Sequence, residues 1–153
     1  MKIDSSVDAA MREALTAAAA WERERFDTAV DSIVDHDGDF ADRSVSLALT
    51  VSSIAFYILH AQQWPAPERV EELAQAYGEE QTWSGIESDT VRDYLNGLMT
   101  EDGGQLNEIA PQIFPRAVFA ITAWLLTGFE LPDGASWNDF LDEIEDEIET
   151  RTP

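Results

Sequence analysis

Residues 113–129, IFPRAVFAITAWLLTGF, carry one charge, Arg116, and more apolar bulk than any other stretch of that length in the chain. Large side chains at Val118, Phe119, Ile121, Trp124, Leu125 and Leu126 leave no polar stripe of useful width, and a helix apolar nearly all round belongs in a core or a membrane. Pro115 suits the first helical turn, where its missing N–H has no partner, and Gly128 suits the left-handed position beyond the last turn. What remains is a helix of about 13 residues, ~20 Å long, short of the ~20 residues that cross a bilayer. The run therefore predicts the central core helix of an all-α domain.

A second apolar window agrees with this. No Asp or Glu occurs in residues 43–67 or 109–129, while acids are dense everywhere else. Two core helices wrapped by acidic amphipathic ones is the simplest arrangement. The spacing predicts one long helix over 6–34, with Val7, Met11, Leu15, Trp21, Phe26, Val30 and Ile33 inward and Ser5 or Ser6 as its cap. Further helices are expected over 41–63, 67–78, 89–99 with Ser88 as cap, and 136–150, with a short turn at 106–109 and a glycine-containing hinge at 100–105. The whole of 1–153 is read as a single all-α domain, a helical bundle of five to seven helices with the apolar helices at 44–63 and 113–128 central. The charge-free run 44–59 is slightly short for a bilayer, and its hydroxyls oppose lipid contact.

The charge balance constrains function. There are 31 Asp and Glu against 9 Lys and Arg, a formal net charge of −22. Such a surface repels nucleic acid and anionic lipid and steers toward cationic surfaces, so no direct nucleic-acid and no membrane binding is expected. Without Cys there is no thiolate chemistry or disulfide, and the N-terminus lacks the basic flank and apolar run of a secretory signal, so a cytoplasmic location is expected. The same acidity also fits inheritance from a salt-adapted or high-GC lineage, which would name no partner.

Few residues point to chemistry, and no cofactor is expected. Asp35, Asp37 and Asp39 alternate as calcium-loop acids do, but the glycine falls at the fourth position, Gly38, and the twelfth is Ser46 rather than a bidentate Glu. That stretch reads as a solvated helix connection. His60 reads as a structural residue in a last helical turn, and Arg116 as an arginine whose stem lies on the core and whose head pairs with a carboxylate. Glu68, Glu71 and Glu72, set one turn apart, allow a second reading as a metal-dependent, nucleotide pyrophosphohydrolase-like enzyme. That reading needs a second acidic pair, such as Asp89 with Asp93 or Glu143 with Asp146.

The last helix is the strongest functional lead. Trp137, Leu141, Ile144 and Ile148 form one narrow apolar stripe, and Asp139, Asp142, Glu143, Glu145, Asp146, Glu147 and Glu149 fill most of the rest, repelling one another at four-residue spacing. An element that works against its own charge suits a cationic partner that neutralises it. The sequence thus predicts a non-enzymatic acidic protein that binds a basic protein partner, in the manner of an immunity protein, an antitoxin or a nucleic-acid mimic. Its contacts would be Asp139, Asp142, Glu143, Asp146, Glu147, Glu149, Glu68, Glu71 and Glu72; a homodimer stays open.

Overall fold

The structure is a computed structural model that describes residues 2–151; among them there is no strand. Seven α-helices follow one another: α1 Ser5–Ala19, α2 Arg23–Val34, α3 Phe40–Leu59, α4 Pro67–Glu80, α5 Ser88–Leu98, α6 Phe114–Thr127 and α7 Trp137–Arg151. Short 3-10 turns occupy Thr82–Ser84, Gly104–Glu108 and Pro132–Gly134. The predicted all-α bundle is the observed one.

Helix α6 is the hub. All residues from 117 to 126 are buried, and the helix packs on α1 and α3 and also meets α2, α5 and α7. Burying each of Phe119, Ile121 and Leu125 contributes on the order of 1.5–3 kcal/mol. Gly128 ends α6 for a reason other than the expected one. Its φ is −88°, outside the left-handed region. A Cβ there would lie 2.8 Å from the Trp124 indole, so the missing side chain leaves room for that ring. Trp124 in turn meets Tyr77 edge-on at 5.2 Å and Phe129 at 5.0 Å.

The long helix expected over 6–34 is two helices. Trp21 adopts φ +59°, the Glu22 N–H donates to the Ala17 carbonyl, and the Trp21 N–H donates to the Ala18 carbonyl. Those two bonds are the Schellman closure of a helix C-terminus, with tryptophan where glycine is usual. Helix α2 then folds back along α1, as the Arg25–Glu13 ion pair records. The end of α3 repeats the device, with Ala61 at φ +57° and the Gln62 N–H donating to the Tyr57 carbonyl. As a result α3 stops at Leu59, before the expected end at residue 63.

Neither expected cap is where the sequence placed it. Asp4 caps α1, accepting from the N–H of Ser6 at 2.8 Å and of Val7 at 3.3 Å, so Ser5 and Ser6 lie inside the first turn. Ser88 is the first residue of α5, and no side chain caps that helix. Its hydroxyl instead lies where a side chain on Gly78 would sit.

The buried side of α3 mixes small and large residues: Ser44, Ala48, Ser52 and Ala55 are fully buried at three- and four-residue steps, together with Val51 and Phe56. Small residues let α6 come close: the Thr122 hydroxyl reaches the Ala48 carbonyl at 3.3 Å. Bulkier Leu49, Ile54 and Ile58 are only half-buried, and Tyr57 is exposed. With 20 residues and a mean hydropathy of 1.2, α3 has the length and composition to cross a bilayer, which the shorter charge-free run 44–59 did not suggest.

Candidate partner-binding surface

Helix α7 begins as its sequence predicts, with the Ser136 hydroxyl accepting from the Asp139 N–H at 3.2 Å. Phe140, Leu141, Ile144 and Ile148 are buried against the bundle, where α7 meets α3 and α6. That stripe turns Asp139, Asp142, Glu143, Asp146 and Glu147 outward, all exposed, with Glu149 half-buried.

These acids are not equivalent. Asp142 accepts from Arg12 of α1 at 2.7 Å, Glu147 accepts from Arg151 at 2.7 Å, and Glu149 accepts from the Ile3 N–H at 3.1 Å, tying the N-terminal segment to the last helix. Asp139, Glu143 and Asp146 have no arginine within 4 Å among the described residues. They are the uncompensated part of the face. Every arginine of the chain already faces at least one carboxylate of its own fold.

The second predicted patch lies elsewhere on the bundle, on α4, which packs against α5 and the Thr82–Ser84 turn. Glu68 and Glu72 are exposed, Glu72 with Arg69 at 3.4 Å. Glu71 is half-buried and accepts from Arg92 of α5 at 2.7 Å, and Arg92 also donates to Asp89 at 2.8 Å. The hydrogen bond from Arg92 holds the Glu71 carboxyl below its ordinary range. Where a metal bridging α4 and α5 would sit, the cation is therefore the Arg92 guanidinium. Asp93, the other acid considered there, is shifted upward by burial and then by Glu108. Among the described residues no three acidic or histidine side chains converge to hold a metal ion.

The remaining candidates are structural in this fold. Arg116 donates to the Ser84 carbonyl at 3.1 and 2.9 Å, pairs with Asp27, and stands 5.1 Å from the centre of the Phe26 ring. It locks the start of α6 to α2 and to the Thr82–Ser84 turn, and burial lowers its pKa. The His60 Nδ1 lies 2.9 Å from the Phe56 carbonyl, at the end of α3. In the 35–39 connection, Gly38 takes φ +74° and the His36 ring stacks on Phe40 at 4.1 Å.

Two features were not visible as site features in the sequence. One is Glu145, expected with the other acids outside the apolar stripe of the last helix; it is instead the only carboxylate among the buried polar residues described, held between Asp8 and Arg12 of α1. The signal for it was its place in the α7 repeat: residues 141, 145 and 148 share a side, so an acid among them must face inward. The other is the outward side of α3 beside exposed Trp64, whose ring meets Tyr57 at 5.0 Å. No protein-family model, curated protein or solved structure matches this chain.

Proposed function

We propose that this chain is a non-enzymatic binding protein that recognises a cationic protein partner through its acidic surface, centred on α7. The observation that supports this is the uncompensated row Asp139, Glu143 and Asp146. These carboxylates stand in water on a rigid helix, while every arginine of the chain is engaged inside the fold. Spaced by three and four residues, they repeat at ~4.5–6 Å along the axis. A basic protein that grips phosphates presents side chains suited to such a row, as immunity proteins and nucleic-acid mimics exploit.

The test uses the triple variant Asp139→Asn, Glu143→Gln and Asp146→Asn. None of the three closes an ion pair within the fold, so the variant is expected to stay folded. Capture of basic proteins from a lysate of the source cell at low ionic strength is expected to fall at least tenfold. Unchanged capture removes α7 from the interface, and no capture by the unaltered protein at any ionic strength makes its acidity a solvation property alone.

A further inference from the structure

The outward side of α3 forms the floor of an open groove. Val45, Leu49, Ser53 and Tyr57 succeed one another along it at helical steps, with Ile54 and Ile58 beside them. Three adjoining depressions follow this stripe. The first, reaching Val34 and Phe114, shares Leu49, Asp102, Gly103 and Leu106 with the second. The second shares Ser53, Ile54, Trp64 and Arg151 with the third, which reaches Tyr57 and α7. Together they run from Asp42 to Tyr57, ~22 Å at 1.5 Å per residue. Three exposed hydrophobic residues mark the groove: Val34 at 45%, Tyr57 at 39% and Trp64 at 43% exposure.

Its rim is acidic. Asp42, Glu101 and Asp102 stand at one end, Glu143 and Glu147 at the other. Among the described lining residues the one cation is Arg151, already paired with Glu147 at 2.7 Å. An apolar floor between carboxylate rims is complementary to a helix with an apolar stripe at i, i+3, i+4 and i+7 flanked by Lys and Arg. We propose that this groove docks a cationic amphipathic helix of about four turns from the partner protein. The inference rests on the reading of the chain as a binder of cationic proteins and gives that partner its shape. A second copy of the chain would bring a like charge of −22 against these rims, and an anionic lipid surface would be repelled in the same way.

The test is calorimetric titration with a synthetic amphipathic helix of Leu and Lys, about 15 residues long, and with a scrambled peptide of the same composition that has no apolar face. The amphipathic peptide is expected to bind one to one and at least tenfold tighter than the scrambled one. Ser53→Arg and Trp64→Ala are expected to weaken it at least tenfold, and Thr50→Arg, at an exposed position on the same stretch, serves should Ser53→Arg fail to fold. Equal binding of both peptides, or affinity untouched by the groove variants, places recognition on the general acidic surface; the groove is then overturned and the proposed function stands. No binding of either peptide to the unaltered chain overturns both. Self-association, or capture by phosphatidylcholine vesicles, that Ser53→Arg abolishes assigns the groove to a second copy or to lipid and overturns the proposal.

Discussion

The Arg12 guanidinium of α1 donates to the Glu145 carboxylate of α7, a residue 133 positions away in the chain, and joins the first helix to the last. One arginine serves three acids there, since Asp8 lies 3.0 Å and Asp142 2.7 Å from it. Glu145 is the most buried of the three, and its Oε2 has no hydrogen-bond partner. Burial, reinforced by Asp8, pushes its carboxyl up to about 8, against the pull of Arg12 in the other direction.

That shift makes stability fall with rising pH. A carboxyl at about 8 in the folded chain and near ~4.3 unfolded takes up a proton on folding between those values. Its stabilising contribution is full below ~4.3 and is lost as pH rises through about 8. Glu145→Gln, which stays neutral, should flatten this slope and exceed the wild type in stability at about pH 9 by on the order of 1 kcal/mol. Thermal melts of both proteins across the range decide the matter, and parallel curves would show that Glu145 is ionised throughout.

The turn between α1 and α2 predicts a contrast between two substitutions. Trp21 is 56% exposed, so little packing is lost on replacing it, yet its φ of +59° strains any residue with a side chain. Trp21→Gly should be neutral to about 1 kcal/mol stabilising, whereas β-branched Trp21→Val should cost about 1 kcal/mol. The order of melting temperatures, Gly above Val, is the readout; the reverse order would mean that the indole packs productively.

Two helical glycines should respond oppositely to alanine. At Gly78 the obstructing atom is the Ser88 hydroxyl, which can rotate away, so Gly78→Ala should recover up to ~1 kcal/mol of helix propensity. At Gly97 the new Cβ would meet the Leu106 side chain at 2.5 Å and its backbone nitrogen at 3.0 Å. That clash dislodges the Gly104–Glu108 turn, and Gly97→Ala should cost about 1–3 kcal/mol. Denaturant midpoints for the pair check this, and equal midpoints would contradict the packing described.

A buried polar contact links α3 to α5. The hydroxyls of Ser52 and Tyr94 lie 2.6 Å apart with both residues fully buried, and the low-dielectric setting raises the Tyr94 pKa to about 12. Tyr94→Phe should cost about 1 kcal/mol while leaving the ring in place. A double-mutant cycle with Ser52→Ala should return a coupling of at least ~0.5 kcal/mol. Strict additivity would mean that the two hydroxyls do not depend on each other.

The sequence alone determined the helical class, the identity of α6 as the hub and the outward turn of every α7 acid but Glu145. Each is set by period and polarity, which a residue carries wherever its helix goes. Only the tertiary structure decided where α1 ends, because Ala17–Ala20 favours helix and no glycine marks the break; the hairpin is paid for by packing α2 on α1 and α6. It alone decided which side of α3 faces inward, burying Val51 and Phe56 among small residues and leaving Leu49 and Ile58 half-buried, because apolar side chains occupy most of the helix circumference in the sequence. It alone paired Glu145 with Arg12 and opened the groove on α3, because pairing and concavity belong to neighbours that are remote in sequence.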